Sequence, residues 1–134
     1  MIIEQTLAII KPDAINRNLI GSIINLIELN NLNIKNILMR RISTKEAKEF
    51  YKIHTDREFF SRLIEYMTSG PIVVMLLEGD DVVNRYRKIM GSTNPDTAES
   101  GTIRKLYGLN TTENSVHGSD SIDNADIEIK FFFK

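Results

Sequence analysis

Apolar residues along this chain fall in short runs whose spacing switches between strand-like and helix-like. Thr6-Leu7-Ala8-Ile9-Ile10 is an unbroken run stopped by Lys11-Pro12-Asp13. It predicts a buried strand feeding a turn, because proline has no N–H to give to a ladder. Ile23, Ile24 and Ile27 recur at helical spacing and predict a core-facing helix over 21–29, ended by Asn30-Asn31. Over 34–42 the alternation is imperfect, with Ile34, Asn36, Leu38, Arg40 and Ile42 on one face and Ile37 and Met39 on the other. A second strand is expected there. Ser43 with Glu46 fits a capping box opening a short helix through Phe50-Tyr51. Phe59, Leu63 and Met67, with Phe60 and Ile64, repeat at i, i+4 and predict a further helix over 58–67.

After the Ser69-Gly70-Pro71 turn, Ile72-Val73-Val74-Met75-Leu76-Leu77 has no polar member, as expected of a central strand covered on both faces. Residues 81–90 begin acidic and end basic, which suits a helix and its macrodipole. From 91 to 121 the periodicity fades into polar turn residues, with Val116-His117 as a short strand. An irregular stretch of that length in a compact domain usually carries function. Ile122, Ala125, Ile129 and Phe132 then return to helical spacing, although Ile127, Ile129, Phe131 and Phe133 also alternate as a strand would. A helix capped by Asp120 or Ser121 is the preferred reading. Taken in order, the elements form a β-α-β-β-α-β series with extras. That series predicts a single domain over 1–134 of the ferredoxin-like α+β class: an antiparallel four-stranded sheet with helices on one face and additional short helices.

Composition narrows the partners. The 134 residues are 42% hydrophobic and 26% charged, ordinary for a soluble domain able to bury its own core. Seventeen basic and eighteen acidic residues leave a net charge of −1, so there is no general pull toward nucleic acid or an anionic membrane. Anion binding must come from a local cluster. The absence of cysteine excludes disulfides and thiolate metal sites, and a zinc centre would have to lean on carboxylates. The N-terminus has no basic, apolar leader pattern, and no window approaches the roughly 18–20 apolar residues of a membrane span. A cytoplasmic, soluble protein is expected, which makes the Asn110-Thr111-Thr112 sequon a chance match.

The candidate chemistry centres on His117 in Asn114-Ser115-Val116-His117-Gly118-Ser119-Asp120. An imidazole is the one ordinary side chain that is largely neutral, and so nucleophilic, near pH 7. Gly118 puts no side chain beside it to crowd an incoming group, and Ser119 and Asp120 offer the ring local hydrogen-bond partners. Taken alone, His117 reads equally as a surface histidine. Neither glycine-rich phosphate motif is present. Cations nevertheless gather in the same region: Arg85, Arg87 and Lys88 on one helix, then Arg104 and Lys105. Two guanidinium forks with Thr93 between them can clamp phosphate oxygens, although each arginine alone reads as a solvated surface charge. The turns Gly91-Ser92-Thr93-Asn94-Pro95 and Ser100-Gly101-Thr102 add amides and hydroxyls. Phe59 is a stacking ring or a core residue, Lys11 a ligand contact or a surface charge, and Tyr51 a site residue or a core edge.

Together these segments resemble the nucleoside diphosphate kinases. Thr6 to Ala14, Gly91-Ser92-Thr93-Asn94-Pro95, Gly101-Thr102-Ile103-Arg104 and Asn114 to Ser121 follow that family's motifs in order, essentially end to end. The resemblance implies ping-pong transfer of a γ-phosphoryl group from ATP or another nucleoside triphosphate to a nucleoside diphosphate, through His117. It implies that Glu128 holds the imidazole and Ser119 supports that network. Arg87, Thr93 and Arg104 would grip phosphates bridged by Mg²⁺, with no metal site of the protein's own. Lys11 and Asn114 would bond ribose and phosphate, Phe59 would stack on the base, and Tyr51 would line the phosphoryl path. Stacking tolerates any base, so broad specificity is expected. No nucleic acid or membrane is required. Lys105-Leu106-Tyr107-Gly108 departs from the family pattern, and the chain ends soon after its last helix. A homo-oligomer is implied, with a hexamer favoured and a tetramer possible. A non-catalytic binding module and an idle structural oligomer are the competing readings; the catalytic set argues against both.

Overall fold

The computed structural model describes residues 3–133; Met1, Ile2 and Lys134, the ends of the single domain expected over 1–134, lie outside the described residues. In chain order the elements are β1 (Ile3–Ile10), α1 (Pro12–Asn16), α2 (Ile20–Leu29), β2 (Asn33–Arg40), α3 (Thr44–Phe50) and α4 (Phe60–Met67). Then follow β3 (Ile72–Asp80), α5 (Val82–Met90), α6 (Ile103–Tyr107), β4 (Val116–Gly118) and α7 (Ile122–Phe133). Short 3₁₀ turns occupy Lys52–His54 and Pro95–Thr97. The strands form one four-stranded sheet in the order β2-β3-β1-β4, with every neighbouring pair antiparallel. This is the βαββαβ ferredoxin-like arrangement.

The two crossover helices share one face of the sheet. There α2 and α5 bring Ile23, Ile27, Val82, Tyr86 and Met90 onto Ala8, Ile10, Val73, Met75 and Leu77. The additional helices α3, α4 and α7 cover the other face, packing Ala47, Leu63, Met67 and Ile129 with Leu7, Ile9, Ile72 and Val74. Strands β1 and β3 are therefore covered twice, which is why their sequences are unbroken apolar runs rather than alternations.

Several local expectations change. Lys11-Pro12-Asp13 is a helix start rather than a bare turn: Pro12 takes the first position of α1, where its missing N–H costs nothing. Strand β2 ends at Arg40 and carries a register shift between Ile34 and Asn36. That bulge turns Ile34 toward the α2 side and Leu38 toward the opposite side, whereas strict alternation puts them together. Helix α4 starts at Phe60, two residues late. The capping box is present, with Ser43 Oγ accepting from Glu46 N at 3.0 Å and Glu46 Oε1 accepting from Ser43 N at 2.9 Å. Residues 122–133 are helical, and Ser121 is the cap, its Oγ accepting from Asn124 N at 3.1 Å. The stretch read as irregular holds α6, capped by Thr102. Among the described residues no helix is long and apolar enough to cross a membrane.

Candidate active site

The site forms where the short edge strand β4 lies along the end of β1. His117 pairs with Ile9 and Gly118 with Ala8. A Cβ on Gly118 would lie 2.8 Å from both the Tyr86 ring and Met90 Cε. The glycine is thus required on the α5 side of the sheet, so that β4 can close on that helix, and it also lines the cavity beside His117. His117, one residue earlier, takes the opposite face. There its ring meets Phe50 and Tyr51 edge-on, with centroids 5.5 and 6.3 Å away.

Helix α7 returns over that face and supplies Glu128. Its Oε1 lies 2.9 Å from His117 Nε2 and accepts a second bond from Ser119 Oγ at 2.7 Å. A carboxylate only accepts, so this contact makes Nε2 the N–H nitrogen and leaves the lone pair on Nδ1. Ser119 reaches the ring through Glu128 rather than directly, and its backbone is tied to Leu7. Asp120 does not serve the ring either. It accepts from the Asn124 amide, which holds its carboxyl below the usual range with smaller help from Arg87.

Cations gather beside this pair. Arg104 is buried and donates to Gly91 O at 3.1 Å and Val116 O at 2.9 Å, so two backbone carbonyls fix its plane. Burial lowers its proton affinity, more than nearby Arg87 does. Lys11 is 6% exposed and donates to Asn114 Oδ1 at 2.9 Å. Burial, and secondarily Arg104, bring its pKa down to about 7, against an opposing pull from Asp13. Asn114 spends its amide on Thr93 O (3.1 Å) and Thr111 O (3.0 Å), pinning two loops to one side chain. Arg104 Nε and the Tyr51 hydroxyl are buried without a partner among the described residues. Burial, with a smaller contribution from Glu128, raises the Tyr51 pKa. Polar groups left this way are costly unless a ligand meets them.

These groups line one cavity of about 430 Å³. Lys11, Arg87, Thr93, Arg104, Asn114 and His117 lie on its wall, as do Tyr51, Phe59 and Glu128. Rings step along it from His117 to Tyr51, then 6.5 Å to His54 and 5.4 Å to Phe59. Phe59 is 44% exposed while its neighbour Phe60 packs against the core, so the adjacent pair divides between cavity and interior. Arg85 is turned away onto the carbonyls of Asp80 and Asn30, and neither Lys88 nor Lys105 lines the cavity. His54, Phe50, Thr111, Thr112 and Asn124 line it without having been singled out from the sequence. The only advance signal for them was that His54 is the second of two histidines.

The sequence profile described as nucleoside diphosphate kinase matches residues 4–134. The chain is 52% identical over 130 residues to the nucleoside diphosphate kinase of Lawsonia intracellularis, covering 97% of this chain and 94% of that one. It is 48% identical over 133 residues to that of Persephonella marina, covering 99% of this chain and 95% of that one. Among solved structures, the Aquifex aeolicus nucleoside diphosphate kinase superposes with a TM-score of 0.96 at 38% identity, over 99% of this chain and 96% of that one. The Halobacterium salinarum nucleoside diphosphate kinase in complex with CDP superposes with a TM-score of 0.94 at 38% identity, over 98% and 88%.

Proposed function

The chain belongs to the nucleoside diphosphate kinase family, and we propose that His117 carries the phosphoryl group between its two nucleotides. The activity is transfer of the γ-phosphoryl group of a nucleoside triphosphate to a nucleoside diphosphate. The observation that supports this assignment is the Glu128–His117 contact with Ser119 behind it. It occupies Nε2 and leaves Nδ1 with a lone pair, in a cavity that also holds Lys11, Arg87 and Arg104.

Nδ1 attacks the γ-phosphorus. A P–N bond forms as the bond to the β,γ-bridging oxygen breaks, and the diphosphate leaves with that electron pair. The Nε2 proton stays on the ring, facing Glu128. A second diphosphate then attacks with a terminal β-phosphate oxygen, the P–N bond breaks, and its electrons return to Nδ1. Splitting the exchange this way gives two matched half-reactions. Charge neutralisation and alignment supply most of the acceleration. Arg87, Thr93 and Arg104 grip the phosphates in this reading, and Lys11 and Asn114 hold ribose and phosphate. Tyr51 lines the path, and Phe59 stacks on the base, with broad base specificity.

Mg²⁺ fits the donor chemistry. Asp120 lines the cavity as a hard oxygen donor, whereas Glu128 is spent on His117 and Ser119. Among the described residues no cluster of three or more candidate ligands stands ready for an ion, so the nucleotide's own phosphates would hold it. When bound, the ion neutralises charge on those phosphates. We place the protein in the cytoplasm as a homo-oligomer, a hexamer in preference to a tetramer. Ile37 and Met39, exposed on the sheet's edge strand, are apolar surface of the kind assembly covers.

The test is exchange between ATP and a second nucleoside diphosphate, with capture of labelled protein. The wild type is expected to take an acid-labile, base-stable phosphate, and His117→Ala to lose both label and turnover. Comparable exchange by the H117A variant refutes the assignment.

A further inference from the structure

Asp13 is a buried carboxylate that the transfer scheme leaves unused. One of its donors is a helical turn away and two come from distant parts of the chain. Arg17 Nη2 donates to Oδ2 at 2.8 Å, from one turn further along. The Tyr66 hydroxyl donates to Oδ1 from α4. Ser115 donates twice, its backbone N to Oδ1 at 3.3 Å and its Oγ to Oδ2 at 3.2 Å. Arg17 Nη2 also reaches the Tyr107 carbonyl at 2.5 Å, so the clamp extends to the end of α6.

Ser115 stands two residues before His117 and is fully buried. Its φ is 75°, a left-handed backbone that is costly for any residue except glycine. Such a conformation persists only where its surroundings over-determine it. The surroundings here are the segment from Lys11 to Asp13. Lys11 N donates to Ser115 O at 2.8 Å, and Asp13 takes the N–H and the hydroxyl, so all three polar groups of Ser115 are held. On one side of this turn lies Asn114, the partner of Lys11; on the other begins β4 with His117. Glycine would form the turn without strain, but it would give Asp13 no hydroxyl to grip.

We propose that Asp13 is a positioning residue for phosphoryl transfer, gripping Ser115 so that the left-handed turn sets His117 in register with Lys11 and Asn114. A small misplacement of reacting groups costs far more in the transition state than in nucleotide binding. The inference rests on His117 being the phosphoryl carrier, and labelling of the wild type separates the two. A wild type that takes no acid-labile label overturns that reading and the clamp's purpose with it. A wild type that labels, beside an Asp13→Asn variant that labels at the same rate, overturns the clamp alone.

The experiment measures kcat, KM and single-turnover labelling by ATP for D13N and for the D13N/S115G double variant, at a temperature where circular dichroism shows both folded. D13N is expected to lose at least tenfold in kcat and labelling rate, with KM within threefold of wild type. Ser115→Gly in the same background is expected to restore at least fivefold, because glycine holds the turn without the clamp. A loss confined to KM, or no recovery in the double variant, overturns the proposal. Should D13N fail to fold, Tyr66→Phe removes one donor and leaves the carboxylate in place. A three- to tenfold fall in its labelling rate supports the clamp, and an unchanged rate overturns it.

Discussion

Lys11 shows how much of this site depends on where one ammonium is kept. Unfolded, it titrates near 10.5; folded and buried beside Arg104, near 7. Between those values the unfolded chain holds the extra proton. Stability therefore rises with pH from about 7 to about 10.5, and the full cost of burying the charge is felt below that window. A phosphate placed against Nζ restores the proton, so nucleotide binding at pH 8 is expected to take up a substantial fraction of one proton. Calorimetry in buffers of differing ionisation enthalpy measures that uptake, and Lys11→Met should abolish it. An uptake unchanged in the variant would assign it to another group.

At the scale of elements, the site depends on β4, three residues long, closing against both β1 and α5. Tyr86 and Met90 fill the space where a Gly118 side chain would stand. Gly118→Ala should push β4 away from α5 and destabilise the fold by about 1–3 kcal/mol, the usual cost of overpacking a core. His117 is carried on the same strand, so turnover should fall with it. Urea unfolding reads the first effect and the exchange assay the second. A variant with wild-type stability would mean that α5 yields more easily than its buried packing implies.

The whole molecule supplies the cavity from both ends of the chain. Lys11 follows β1, Tyr51 and Phe59 flank the 3₁₀ turn after α3, Arg87 lies in the last turn of α5, and Glu128 lies on α7. A ligand that bridges these elements stabilises them together, by about 2.7 kcal/mol at a hundred times its Kd. ADP with Mg²⁺ should raise the melting temperature clearly more than adenosine at matched concentration, since the proposed roles put most of the polar grip on phosphate. Equal shifts would place the binding energy on the base instead.

Much of this was legible in the residue pattern. The unbroken runs of β1 and β3 betray two-sided burial, and the 3.6 spacing marks the core face of α2 and most of that of α4 and α7, although Phe59 and Ile122 of those sets are exposed. The Ser43–Glu46 box announces α3 by local chemistry alone. The histidine segment and the two arginines point to a nucleophile beside phosphate-binding cations, because side-chain chemistry is a property of residue type; phosphoryl transfer itself was implied only by the resemblance of these motifs, in order, to the nucleoside diphosphate kinases. What the pattern cannot hold is distance across the fold. The bulge that separates Ile34 from Leu38 depends on pairing with β3. The purpose of Gly118 depends on α5, which ends 28 residues earlier, and the grip on Ser115 depends on Asp13, 102 residues away. The Glu128 contact, which selects the ring nitrogen, exists only once α7 folds back over the sheet. Local periodicity decides which residues are helix, strand or core. Only tertiary packing decides which buried donor meets which acceptor, and that meeting decides which nitrogen of the candidate histidine keeps its lone pair.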